Sequence, residues 1–222
     1  PTGNTADGST TGQIDATAPT ITINAPGSDN DTTPTLSGTT DATPGSTVTL
    51  TITDSAGNTQ TVTTIVQADG TYSVDVPAEL AEGEFTINAS VTDEAGNTDT
   101  DTGTLVIDTT APTVAINDLT TNDTTPELTG TVNDPNAVVV VTIDGNDYTA
   151  TNNGNGTWTL ADNIVALLAE GNYTATVTAT DAVGNSDSAT GSIVIDTSID
   201  ENNNGQTVTF DSISNDSGVA GD

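Results

Sequence analysis

The side chains of this chain that could carry acid–base or metal chemistry are almost all carboxylates: 32 Asp and Glu, against no Lys, Arg, His or Cys in 222 residues. Ser and Thr are plentiful, but no imidazole, amine or thiol is present to activate a hydroxyl or to act as nucleophile itself. Paired carboxylates of the glycosidase kind are compatible with this composition. The acids recur with the internal repeat described below, however, which catalytic pairs rarely do, so the chain reads as non-enzymatic. What remains is cation binding. A formal charge of −32 with no basic residue excludes the usual electrostatic route to nucleic acid and to an anionic membrane surface. Ca²⁺ takes six to eight oxygens in a tolerant geometry and needs neither His nor Cys.

The elements that must position these acids are strands. Low hydrophobicity (32%) at high net charge is a signature of disorder, but 50 Thr residues argue against it. They alternate with apolar residues instead of clustering, as β-branched residues do on a pleated surface. Val48, Leu50 and Ile52 alternate with Thr, and Val139, Val141 and Ile143 form an equivalent set. Phe85, Ile87, Ala89 and Val91 match Tyr173, Ala175, Val177 and Ala179, and Tyr72 matches Trp158. The period of two marks strands with one buried face, and the aromatics read as core. Asp54–Asn58 and Asp144–Asn146 read as hairpin turns. Only 78–81 and 163–169 hint at a helical turn or short 3₁₀ segment.

An internal repeat sets the architecture. Residues 107–113 (IDTTAPT) echo 14–20 (IDATAPT) at an offset of 93, and 122–126 (NDTTP) repeats 30–34 at 92. Ala81-Glu82-Gly83 returns as Ala169-Glu170-Gly171, and Asp93–Asn97 as Asp181–Asn185, at 88. The drift places length changes in loops. Residues 1–15 read as the last strand of a preceding repeat, 16–108 and 109–196 as two whole modules, and 197–222 as a linker and the opening strand (Val208–Ile213) of a following one. About seven short strands per module, with turn signals every 8–12 residues, predict an all-β fold of tandem immunoglobulin-like antiparallel sandwiches. No Cys means no disulfide, so stability rests on cores, neighbours or metal. No apolar run reaches the roughly 18 residues of a membrane span, no signal peptide is visible, and a chain that starts at Pro1 without Met reads as a piece of something longer.

Walking the strands assigns each acid to a pole of its module. Asp31 and Glu82 fall at the far pole of the first module, Asp41 and Asp93 at the near pole. Asp123 and Glu170, then Asp134 and Asp181, hold the same places in the second. Asp15, Asp108 and Asp196 lie in the linkers. The junction of the two modules is expected to gather Asp31, Glu82, Asp108, Asp134 and Asp181. Two unit charges 8 Å apart in water repel by only about 0.5 kcal/mol, but several pairs sum to a few, and a divalent cation reverses the sign. These eleven acids are therefore the expected calcium ligands.

The D-x-x-A-P linkers (Asp15–Pro19, Asp108–Pro112), the N-D-T-T-P-x-L-x-G openings (Asn30–Gly38, Asn122–Gly130) and the D-x-x-G-N hairpins together resemble the bacterial immunoglobulin-like repeats of giant type-I-secreted, RTX-type and biofilm-associated adhesins. The resemblance covers both whole modules. It implies an extracellular, cell-surface extender: a monomeric array whose partners are neighbouring repeats and calcium ions, the ions straightening the rod at the junctions and projecting a distal adhesive region. A direct glycan- or protein-binding adhesion module is the alternative, and exposed aromatics would favour it; Tyr148 and Phe210 are the two not accounted for as core.

Overall fold

The computed structural model describes residues 15–198, and the flanking readings at 1–14, Val208–Ile213 and Phe210 lie outside them. The described chain is built of strands and forms two compact units that meet in sequence at Thr110 and Ala111. The first unit contains β1 (Ile21–Asn24), β2 (Gly27–Asp29), β3 (Thr35–Thr40), β4 (Thr47–Asp54), β5 (Thr59–Ile65), β6 (Thr71–Asp75), β7 (Gly83–Thr92) and β8 (Thr98–Ile107). One sheet runs β1-β3-β6 and the other β2-β8-β7-β4-β5. The alternation on β4 buries Val48, Leu50 and Ile52, which meet Ile87, Ala89 and Val91 of β7 and Leu36, Leu105 and Ile107 in one core. Each large apolar side chain so buried contributes about 1.5–3 kcal/mol.

The sandwich has eight strands because the opening strand divides. Pro26 lacks an N–H to continue the ladder, and Gly27 takes φ +80°. The chain therefore leaves β3, its antiparallel partner, and continues as β2, parallel to β8 in the opposite sheet.

The second unit repeats the plan with β9 (Val114–Ile116), β10 (Leu119–Thr121), β11 (Leu128–Val132), β12 (Val138–Ile143), β13 (Asn146–Asn152), β14 (Thr157–Leu160), β15 (Gly171–Thr180) and β16 (Ser186–Ile195). Its opening strand divides likewise, β9 pairing with β11 and β10 running parallel to β16. One difference is topological. β13 pairs with β12 and then, at Thr151 and Asn152, with β14, so the two sheets join along one edge. The β12–β13 turn has positive φ at both Asp144 and Gly145, the backbone of a two-residue type I′ hairpin.

Tyr72 and Trp158, 1% and 0% exposed, are core residues as their spacing predicts, and each also carries one polar duty. The Tyr72 hydroxyl donates to the Thr22 carbonyl at 2.7 Å, and Trp158 Nε1 donates to the Ala115 carbonyl at 2.9 Å. Both bonds tie the opening strand to the sheet, and both pass over a glycine. A Cβ on Gly38 would collide with the Thr22 carbonyl oxygen and the Tyr72 hydroxyl, and one on Gly130 would lie 2.6 Å from Trp158 Nε1. The last position of the N-D-T-T-P-x-L-x-G motif is thus Gly for lack of room.

The expected helical turns at 78–81 and 163–169 do not form. Their amides are used elsewhere: Leu80 N donates to the Thr32 carbonyl at 2.8 Å, Asn163 N to Thr125 at 2.9 Å and Leu168 N to Thr124 at 2.8 Å. With those donors committed across the pole no i→i−4 ladder starts, and the segments instead lay Leu80, Val165 and Leu168 over the core.

Candidate functional site: the acidic poles

The linker acids adopt one local form. Asp15 Oδ1 accepts from Thr17 N at 3.0 Å, Asp108 Oδ1 from Thr110 N at 3.1 Å, and Asp196 Oδ1 from Ser198 N at 3.0 Å. This is the Asx turn that short polar side chains make with the backbone two residues on. Two of these linkers are also tied back through their own amides: Asp108 N donates to the Asp29 carbonyl at 2.9 Å and Asp196 N to Thr121 at 2.8 Å.

At the far pole of each unit a glutamate grips the linker that follows. Both Glu82 oxygens accept from Thr110 Oγ1 at 2.7 Å, and Oε2 accepts from Thr109 Oγ1 at 3.0 Å. Glu170 Oε2 accepts from Thr197 Oγ1 at 2.8 Å. The Thr110 hydroxyl, then that of Thr109, holds the Glu82 carboxyl below its usual range. Hydroxyl donation likewise lowers Asp196, through Ser198. Beside these glutamates, Asp31 accepts from Thr33 N at 2.8 Å and Asp123 from Thr125 N at 2.9 Å. The recurring A-E-G and N-D-T-T-P motifs therefore shape the same pole twice.

At the near pole of the first unit, Asp41 Oδ1 accepts from Thr20 N at 2.6 Å. Asp93 accepts from Asn97 N at 2.8 Å and from Asn97 Nδ2 at 2.9 Å, and the Asn97 side chain lowers its pKa. Asn97 Nδ2 also donates to the Asp15 carbonyl at 3.2 Å, which brings the D-x-x-G-N hairpin onto the linker. In the second unit Asp134 accepts from Asn136 N at 2.8 Å, and Asp181 begins the β15–β16 turn as Asp93 begins the β7–β8 turn.

Asp15, Asp41 and Asp93 thus share one pole of the first unit, and Asp31, Glu82 and Asp108 the other. Asp134 and Asp181 lie at the near pole of the second unit, and Asp123, Glu170 and Asp196 at its far pole. Among the described residues no group of three or more carboxylates is drawn close enough to enclose a metal ion. The donors at the poles are hard oxygens from carboxylates, hydroxyls and carbonyls, a set that fits Ca²⁺ and no soft metal.

Four acids outside the predicted set do structural work. Asp99 and Asp101 of β8 accept from the amides of Ile21 and Ile23 at 3.1 and 2.9 Å, stitching β1 across to the other sheet. In the second unit Asp187 takes Val114 N at 3.4 Å, and Asp118 takes Ser192 N at 2.7 Å. The signal for the first pair is in the sequence: Thr98-Asp99-Thr100-Asp101-Thr102 places two acids on one face of a strand.

A family model described as a bacterial Ig-like domain matches residues 4–109 and again 113–197. Three solved structures are similar in part. A tetra-tandem repeat in the extending region of a large adhesion protein is 34% identical, over 80% of this chain and 50% of that one, at a TM-score of 0.38. A Ca²⁺-stabilized adhesin with which an Antarctic bacterium reaches out and binds ice is 30% identical, over 81% and 49%, at 0.42. Part of a 1.5-MDa bacterial ice-binding adhesin is 25% identical, over 81% and 65%, at 0.41. The chain spans about half the length of the first two. No curated protein matches.

Proposed function

Because the chain belongs to the bacterial Ig-like domain family, in two tandem copies, we propose that it is an extender segment of a cell-surface adhesin whose inter-repeat linkers are stiffened by calcium. The observation that carries this reading is that both units invest the same residues in their outgoing linker. Glu82 and Glu170 each accept a linker Thr hydroxyl, and Asp108 and Asp196 each make the same Asx turn. A spacer transmits reach only if its joints are defined, and these contacts begin to define them. The linker Asp108–Pro112 (DTTAP) is short and offers little apolar surface. Pro112 restricts one torsion, and a cation shared by polar carboxylates would remove further freedom. The ligands proposed are Asp15, Asp31, Asp41, Glu82, Asp93, Asp108, Asp123, Asp134, Glu170, Asp181 and Asp196, with neighbouring repeats of the same chain as the macromolecular partners. Tyr72 and Trp158 are buried, and Tyr148 packs half-buried against the second core with its hydroxyl accepting from Ala166 N at 3.0 Å, which favours the spacer over a glycan-binding module.

Small-angle scattering with millimolar calcium and with chelator tests the proposal. Chelation is expected to shorten the maximum dimension while strand content by circular dichroism stays nearly constant. Asp108→Ala is expected to abolish most of that response. A particle equally stiff with and without calcium removes the mechanism, and no heat of calcium binding by calorimetry removes the ion.

A further inference from the structure

In the first unit the larger sheet ends on β5, which pairs with β4 and with no other strand among the described residues. A free edge presents a row of unpaired backbone groups, which proteins usually blunt with charge, Pro, a bulge or a very short strand. The unit's other edges are dealt with in these ways. The β1 amides of Ile21 and Ile23 are taken by Asp99 and Asp101, β2 is three residues long, and β6 ends in Asp75, whose carboxylate accepts the Thr35 hydroxyl. β5 (TQTVTTI) is seven residues long and carries no charge, Pro or Gly. Its side toward β6 is covered at one end, where Thr64 Oγ1 donates to the Ser73 carbonyl at 2.8 Å. At the other end Thr59 and Gln60 line a cleft with Glu79, Leu80 and Ala81, and among the described residues no strand pairs with Thr59–Thr63 on that side.

The second unit supplies the comparison. Asp147 on β13 sits opposite Thr142 as Thr61 on β5 sits opposite Thr51, both pairs one residue short of the equivalent Ile143 and Ile52. The second unit thus carries a charge at the equivalent position, the second residue of β13, and the far end of the strand is closed by β14. The first unit has Thr61 there and no closure.

We propose that the Thr59–Thr63 edge is a self-association surface, on which a second copy of this chain pairs its own Thr59–Thr63 antiparallel about a two-fold axis at Thr61. A two-fold contact must match a patch to itself, and an antiparallel strand does so through its backbone alone. Charge selects this place. Two copies at −32 each repel wherever acids face acids, yet from Ser55 to Ala68 the sequence contains no acid. The acids beside the strand, Asp54 and Glu79, lie at its Thr59 end, which an antiparallel pairing sets against the acid-free Thr63 end of the other copy, and at physiological salt charges beyond about 8 Å are largely screened. Thr59, Thr61 and Thr63 point outward and exposed, and Thr–Thr cross-strand pairs are favourable. A single strand pair covers far less than the roughly 1,200 Å² of a stable interface, so the contact is weak, with a dissociation constant on the order of 10⁻⁴ to 10⁻³ M. It requires no metal and stands independently of the calcium reading.

Sedimentation equilibrium of the 222-residue chain in physiological salt with chelator tests it. The expected result is a reversible monomer–dimer equilibrium that Thr61→Asp weakens about tenfold or more, since it sets two carboxylates face to face on the axis. Thermal unfolding of Thr61→Asp should match that of the parent, because the second unit folds with Asp147 at the same place. Mild oxidation of Thr61→Cys should give a disulfide-linked dimer faster than oxidation of Asp147→Cys. A chain that stays monomeric to about 1 mM, or a dimer indifferent to Thr61→Asp, overturns the proposal.

Discussion

Raising the pH from 10 to 12 should weaken the first unit through a single buried phenol. The two units close the same gap with different aromatics, Tyr72 and Trp158, and only one of these can lose a proton. Tyr72 is 1% exposed; burial, with the charge of Asp101 adding to it, pushes its phenol from 10.0 up to about 12. Between those values the unfolded chain releases a proton that the folded unit retains. The stability this phenol contributes is complete below pH 10 and is lost as the pH rises through about 12. A shift of about two units corresponds to about 2.7 kcal/mol, a large share of what a small domain possesses, and amounts to roughly 10–20 °C in melting temperature. Urea unfolding followed in parallel by Trp158 fluorescence, which reports the second unit, and by far-ultraviolet circular dichroism, which reports both, separates the two transitions. Tyr72→Phe should be weaker at neutral pH by about 1 kcal/mol, the worth of one hydrogen bond, and flat from pH 10 to 12. If the variant and the parent lose stability in parallel over that window, the assignment of the alkaline loss to Tyr72 is wrong.

Two further outcomes follow from the packing. Gly130→Ala places a methyl against the Ala115 carbonyl and the Trp158 indole; it should destabilise the second unit by about 1–3 kcal/mol or more, read as a loss of the Trp158 transition while the first unit unfolds unchanged. Replacing Asp99 and Asp101 together by Ala frees the amides of Ile21 and Ile23, and hydrogen exchange at those two positions should accelerate while that of the β7 core amides does not.

The sandwich was legible because Thr and Val, Leu or Ile alternate so regularly, and because the repeat showed each pattern twice. The divided opening strand was not, since Ala25-Pro26-Gly27 reads simply as a turn and nothing local says the chain resumes in the opposite sheet. The short segments at 78–81 and 163–169 have helix-forming composition, but their amides answer to Thr32, Thr124 and Thr125, contacts more than thirty residues away. Poles could be assigned to acids by counting strands, which depends only on direction. Which hydroxyls approach Glu82 and Glu170 depends on how the linker turns, and a pattern of residue types does not encode that. The role of Asp99 and Asp101 is hidden for the opposite reason: acids on an exposed strand look like solvation until a neighbouring strand edge supplies the amides they satisfy.

The parallel pairing of β2 with β8, and of β10 with β16, has a mechanical consequence. The second half of each opening strand lies beside the closing strand, with Gly27, Ser28 and Asp29 against Leu105, Val106 and Ile107, and Leu119, Thr120 and Thr121 against Ile193, Val194 and Ile195. A pull that has stripped the first half, β1 or β9, from its antiparallel partner therefore next meets this parallel ladder. Tension applied along the chain pulls the two members of such a pair in opposite directions along their common axis. The load then falls on all rungs of the ladder together instead of opening them one at a time, and the Asp108–Asp29 and Asp196–Thr121 bonds add a rung at the end of each. Past that first strand each unit meets a pull in shear, the direction in which a short ladder of hydrogen bonds resists most.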